Sequence, residues 1–257
     1  MKQAEKLKVH LSSKKALYLV GLGLLLLSSQ PEGDGELRPQ YGLVNAGKAT
    51  FEVKDELVDI SHKPHYAFSV FGRSNSGWDW FYKVRDYYYS WVDTATMLPT
   101  KAIRDVREGR YTAEEKLIFR RDHNEIIRNG EAKAVTSRIH DIVSAVYYAR
   151  CISFQNVDSG TYVPIKTYFE DSVFPLGVTY KGTQQLETDF GQFQTRVFKP
   201  ELVEGRIFKG QDDMTVYVSA DKNQVPLRIE SKIFVGYIQA DLYEHENLKY
   251  PLSSRIE

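Results

Sequence analysis

Thr215-Val216-Tyr217-Val218-Ser219-Ala220-Asp221-Lys222-Asn223-Gln224-Val225-Pro226-Leu227-Arg228-Ile229-Glu230 reads as two strands joined by a turn. Each end mixes β-branched, aromatic or aliphatic residues with polar ones at the short period of a half-buried strand. Asp221 initiates the turn, and Pro226 opens the second strand, where its missing N–H does no harm. The pattern has a counterpart earlier in the chain. Tyr89, Asp93, Pro99 and Gly109 recur as Tyr217, Asp221, Pro226 and Gly236, with Tyr four residues before Asp and Pro ten before Gly in both. A duplicated hairpin of this kind fits one continuous sheet in a single domain better than two separate domains.

Outward from these hairpins the strand signals continue. Phe51-Glu52-Val53-Lys54 and Val197-Phe198 have the same mixed character. Lys181-Gly182, Phe190-Gly191 and Val235-Gly236 read as turns. Many short strands separated by turns predict antiparallel sheet, in a sandwich or a barrel-like curl. One segment breaks the pattern. In Ile139 to Arg150 the apolar residues fall at Ile139, Ile142, Val143, Val146 and Tyr147, the stripe of an amphipathic helix over about 138–150. Ser137 is its candidate cap, and Arg150 suits the negative end of the helix dipole. The expected fold is therefore mainly β: a curved antiparallel sheet or incomplete β-barrel with one helix packed on or in it.

The first 35 residues differ from the rest. They hold five Lys against Glu5, Glu32 and Asp34, so the remaining chain is slightly acidic although the whole of 257 residues has zero net charge. After Lys14-Lys15 comes an uncharged run, Ala16 to Leu27, too short to cross a bilayer comfortably. A positive start, a short apolar core and a polar exit form the layout of a secretory signal peptide, with an uncleaved N-terminal anchor as the rival. Residues 1–35 are expected to be leader or anchor, and 36–257 a single β-rich domain. No cysteine follows the apolar core, which excludes lipoprotein processing, and the expected location is the periplasm or envelope.

Several chemistries are excluded by what the sequence contains. A neutral chain lacks the basic excess of a nucleic-acid binder. Its single Cys151 rules out an internal disulfide and reads as a structural thiol. No nucleophile elbow, phosphate loop, dinucleotide fingerprint or zinc-protease motif occurs, so neither cofactor nor metal is expected. His62 and His65 flank Pro64 at a spacing unlike standard metal sites and read as surface loop. Asp79, Asp86 and Asp93 recur every seven residues, which alternates their faces on a strand. Arg85-Asp86 reads as a buried ion pair or a ligand clamp.

Aromatic residues are concentrated between Tyr66 and Trp91, with eleven in 26 residues. Read as a strand, Trp78, Trp80 and Tyr82 share one face, and Tyr87, Tyr89 and Trp91 share alternate positions. Two readings follow: core on one side with ordinary β-propensity on the other, or a ring-lined apolar hollow. For the hollow, the candidate lining is Trp78, Trp80, Tyr82, Tyr147 and Phe193, with Arg85 and Asp86 as a polar pair nearby.

Tyr41 to Thr50 resembles the opening strand of a known family. Phe81 to Asp86, Asp93 to Pro99, Arg107-Glu108-Gly109, His140 to Arg150, Val178 to Gly182, Ser219 to Pro226 and Phe234-Val235-Gly236 resemble its later elements, in order. The family is domain-of-unknown-function family 3108, and the resemblance spans about residues 41 to 243. It implies an exported protein of Gram-negative bacteria, many of them Bacteroidetes, with no assigned activity. It also implies a fold similar to the periplasmic lipoprotein carriers, whose incomplete barrels hold acyl chains. The expected function is a non-enzymatic envelope protein sheltering an apolar or lipid-like ligand, with membrane contact only through an uncleaved leader. The alternatives are a structural or protein-interaction module of the envelope and, third, a hydrolase using Asp86 with a neighbouring His.

Overall fold

The computed structural model describes residues 5–11, 36–38, 47–80, 82–136, 138–202, 214–232 and 237–256, with the backbone alone at 5–11, 36–38, 78, 232, 237 and 238. Among the described residues ten strands precede the helix: β1 (Glu5–Leu11), β2 (Glu36–Arg38), β3 (Gly47–Val53), β4 (Val58–Ile60), β5 (Lys63–Ser74), β6 (Val84–Asp93), β7 (Pro99–Glu108), β8 (Tyr111–Arg120), β9 (Glu125–Arg128) and β10 (Glu131–Ala134). Helix α1 spans Ile142–Cys151. Eight follow: β11 (Tyr162–Val163), β12 (Lys166–Phe169), β13 (Ser172–Pro175), β14 (Val178–Thr188), β15 (Gly191–Pro200), β16 (Met214–Ser219), β17 (Pro226–Lys232) and β18 (Tyr237–His245).

Sixteen strands form one sheet in the order β10-β9-β8-β7-β6-β5-β3-β1-β2-β18-β17-β16-β15-β14-β11, with β4 on β5. The order starts and ends on different strands, so the sheet curls without closing into a barrel. Apart from the parallel β1–β2 contact its pairings are antiparallel. Within the stretch read as leader, Glu5–Leu11 lies in register with β3, from Glu5 opposite Val53 to Leu11 opposite Gly47. The apolar run Ala16–Leu27 lies outside the described residues, as do Val235-Gly236 and Ser137. Among the described residues no helix is long and apolar enough to cross a membrane.

Period-two burial builds the sheet. On β6, Val84, Asp86, Tyr88, Ser90 and Val92 turn inward, while Arg85, Tyr87, Tyr89 and Trp91 turn outward. The duplicated turns share their mechanism. Asp93 Oδ1 accepts from the N–H groups of Ala95 (3.0 Å) and Thr96 (2.9 Å), and the Asp93 N–H donates to the Leu98 carbonyl. In the second copy Asp221 Oδ1 accepts from the Asn223 N–H at 2.9 Å, and the Ser219 N–H donates to the Val225 carbonyl. Pro99 and Pro226 each begin the returning strand.

Three local expectations need correction. Gly182 makes no turn; it sits inside β14 at φ +100°, where the register with β15 shifts between Tyr180 and Thr183. A glycine there absorbs a bulge, which bends the strand without ending it. Trp78, Asp79, Trp80 and Tyr82 form no strand either. Ser76–Trp78 is a single 3-10 turn, fastened where Asp79 accepts from Ser74 and from Arg85. The helix begins at Ile142, because Asp141 is its cap: Oδ1 accepts from the N–H of Val143 (2.9 Å) and of Ser144 (3.2 Å).

The helix plugs the curl. Ile142, Val143, Val146 and Tyr147 are buried, and the Tyr147 ring stacks on Phe68 of β5 with centroids 3.7 Å apart. Around them, Phe51, Phe68 and Val70 from the first half share one core with Phe193, Val216 and Leu242 from the second. Each large side chain so buried stabilises the fold by about 1.5–3 kcal/mol.

Candidate functional site

The two ends of α1 leave different spaces against the sheet. Toward its C-terminus lies an apolar hollow of about 450 Å³, partly open to solvent. Val146 and Ala149 form its helix wall, Phe154 one end, and Val178, Phe198 and Val216 its sheet wall. Its rings interlock: Phe154 meets Phe198 edge-on at 4.7 Å and Tyr180 at 5.6 Å. One cation reaches it. Arg150, 5% exposed, donates to the Asn223 carbonyl at 2.8 Å, and Gln224 Nε2 caps the helix by donating to the carbonyls of Arg150 and Ile152.

Toward the helix N-terminus lies a second cleft, of about 330 Å³, also partly open. Its floor comes from β6, β7 and β8 through Tyr88, Arg104, Glu115 and Leu117; Asp141, Ile142 and Val143 form one wall, and Tyr168 and Phe169 of β12 cover it. Burial raises the Asp141 carboxyl, even though Ser90 Oγ donates to it at 2.7 Å and the helix N–H groups also donate. Glu115 is held by Arg128 at 2.5 Å. Arg104 makes a 3.5 Å ion pair with the half-exposed Glu170 and lies over the Phe169 ring.

Behind this cleft, two buried acids meet. Asp86 of β6 and Glu108 of β7 are 0% and 5% exposed and hydrogen-bond to each other. Burial pushes the Asp86 carboxyl up to about 6, against the opposing donation of the Arg107 N–H at 3.0 Å.

The residues expected to line a hollow are not gathered in one place. Tyr147 and Phe193 are packed in the core, at 0% and 1% exposure. Tyr82 is half-buried, its hydroxyl donating to the Glu108 carbonyl at 3.2 Å. Trp80 is 81% exposed, and the Trp78 side chain lies outside what the structure describes. Neither Tyr82, Trp80, Tyr147 nor Phe193 lines either cleft. Arg85 and Asp86 do not pair, because neighbours on a strand face opposite ways. Arg85 instead holds Asp79 at 2.6 Å on the outer side. His62 is exposed in a turn, as expected, but His65 is buried on β5, with its Nε2 2.8 Å from Thr100 Oγ1. Cys151 donates weakly to the Tyr147 carbonyl. Among the described residues no cluster of His, Cys, Asp or Glu is arranged to hold a metal ion.

Sequence reading missed Phe154, Phe198, Val178 and Val216 on the hollow, and Tyr88, Arg104 and Glu115 on the cleft. The alternation of β6 marks Tyr88 as facing away from Tyr87 and Tyr89. Which face was the inner one depends on the distant strands and the helix.

A family model described as a protein of unknown function, DUF3108, matches residues 38–243. No curated protein matches the chain. Among solved structures, a β-barrel-like protein of domain of unknown function DUF1849 from Brucella abortus is similar in fold, with a TM-score of 0.53 at 7% identity, over 96% of this chain and 97% of that one.

Proposed function

Taking as premise that the chain belongs to the DUF3108 family, we propose that it is a non-enzymatic protein of the cell envelope that shelters an apolar or lipid-like ligand inside its curved sheet. The observation that carries this reading is the apolar hollow between α1 and β14–β16. Its walls are aliphatic and aromatic with few polar groups, the kind of lining small-molecule sites have. The basic, then apolar, layout of residues 1–27 supports delivery to the envelope. The test is binding of a fluorescent long-chain fatty acid to delipidated protein, alongside Ala149→Phe, which places a ring in the hollow. Saturable binding that Ala149→Phe weakens about tenfold or more, with the melting temperature kept, supports the reading. Delipidated protein that ignores the probe at micromolar levels overturns it.

A second reading, an interaction module, draws on the outer face of β6. Tyr89 and Trp91 stack at 6.3 Å, and Tyr87 stacks on Phe71 at 4.5 Å, forming a row of rings away from the core. Crosslinking in cells that captures a stoichiometric protein partner, lost in Trp91→Ala, favours it over the first.

A further inference from the structure

We propose that the cleft at the N-terminal end of α1 binds a singly charged oxyanion, a carboxylate on an apolar body, between the Arg104 guanidinium and the Tyr88 hydroxyl. This site is separate from the apolar hollow at the other end of the helix and does not depend on it.

The argument rests on hydrogen-bond inventory. Tyr88 is 3% exposed and lines the cleft, and its hydroxyl lies against the Arg104 guanidinium. Beyond that mutual contact neither the phenolic O–H nor the buried Arg104 Nε–H has an acceptor. Leaving two such donors unmet is costly, and native proteins seldom do so without a reason. The nearby acids take their hydrogen bonds from other groups: Glu115 from Arg128, Asp141 from Ser90 and the helix N–H groups, and Asp86, although the Arg104 charge acts on it, from Glu108 and the Arg107 N–H. The ion pair to Glu170 is long and reaches the rim. A carboxylate entering the cleft would accept from both Nε–H and the phenolic O–H, in the charge-assisted geometry that arginine favours.

The surroundings also set the ligand's charge and shape. Glu115, Asp141 and Glu170 all border the cleft or its rim, so a second negative charge would be repelled. Leu117, Ile142, Val143 and Phe169 offer apolar contact to whatever carries the carboxylate. The chemistry that fits is a monoanionic amphiphile, and a phosphate monoester or a neutral alcohol should fit poorly.

Calorimetric titration of the delipidated full chain at about pH 8 with sodium octanoate, octyl phosphate and 1-octanol tests this, since the phosphate monoester is then close to doubly charged. Octanoate should saturate a site that persists in Ala149→Phe, with 1-octanol and octyl phosphate each about tenfold weaker or more there. Tyr88→Phe should weaken octanoate about fivefold and Arg104→Gln by more. If Arg104→Gln fails to fold, Tyr88→Phe alone carries the test, because it removes one oxygen and no volume of consequence. Octanoate that fails to bind, that binds no better than 1-octanol or octyl phosphate, or that is indifferent to Tyr88→Phe, overturns the proposal. Ala149→Phe separates the two sites: octanoate binding lost in Ala149→Phe yet unchanged in Tyr88→Phe would support the hollow and sink the oxyanion site.

Discussion

Asp86 shows how much of a residue's chemistry depends on the strand it occupies. In the sequence its partner looks like Arg85; in the fold Arg85 turns outward to Asp79, and Asp86 turns inward to Glu108. The alternation that separates Arg85 from Asp86 is readable from β6 alone, but Glu108 arrives through the register of β6 with β7, which the sequence does not display. The consequence is a pH effect of definite sign. Burial lifts the Asp86 carboxyl to about 6, above its ordinary 3.8, so the folded state holds the proton more tightly than the unfolded chain. Its contribution is most favourable below the unfolded value and is lost as pH rises toward 6. Asp86→Asn keeps an acceptor for the Arg107 N–H and cannot ionise. At about pH 7.5 it should be more stable than the parent by about 1–2 kcal/mol, with the advantage vanishing at about pH 4. Asp141 and Asp241 are also raised, and Asp79 and Asp93 lowered, so the parent-minus-variant difference is the quantity to follow in thermal melts. A variant that melts lower at neutral pH would show that the ionised carboxylate is structurally required.

Elements were legible where the cue was local and illegible where it was shared. The Asp-turn-Pro repeat was local, and both copies fold as read, each with a carboxylate accepting backbone N–H groups and proline starting the return strand. The start of the helix was misplaced because Ser137 and Asp141 both suit a cap. Asp141 is the cap used, and Ser90, from a strand 51 residues earlier, donates to its other oxygen. Gly182 looked like a turn because a bulge and a turn draw on the same conformational freedom. The elements can be tested at their fastenings. Asp93→Ala removes two backbone hydrogen bonds to a charged acceptor and should cost about 2 kcal/mol. Burial opposes the charge on Asp93, but the Thr96 and Ala95 donors outweigh it and hold its carboxyl low. That stabilisation is present at neutral pH and is lost as acid protonates the group. The penalty of Asp93→Ala, measured by urea denaturation, should therefore shrink on acidification. A penalty that stays constant into acid would mean that the turn is held by its backbone alone.

At the scale of the molecule, the sequence predicts a curved sheet or incomplete barrel with a helix packed on or in it; the sheet is curled and open, and the helix sits inside the curl. What it could not supply was the mutual arrangement of the halves. The aromatic run from Tyr66 to Trp91 suggested one lined hollow, yet its described rings divide between core, rim and outer face, and the spaces beside the helix are lined largely from elsewhere. The shared core also makes a mechanical prediction. Phe51 and Phe68 from one half and Phe193 and Leu242 from the other belong to one buried cluster, in which Tyr147 is fully enclosed. All three Trp, at positions 78, 80 and 91, lie in the first half, so their fluorescence follows that half, whereas far-UV circular dichroism follows strands of both. If the helix couples the halves, the two signals should share one midpoint in urea. Tyr147→Ala should lower both together, by about 3–5 kcal/mol, because it opens a ring-sized gap against Phe68. Trp80→Ala, at an exposed site, should change stability by about 0.5 kcal/mol or less. Midpoints that separate in the parent, or a Tyr147→Ala shift seen by only one signal, would show that each half of the sheet stands by itself and that the helix fills a space without joining them.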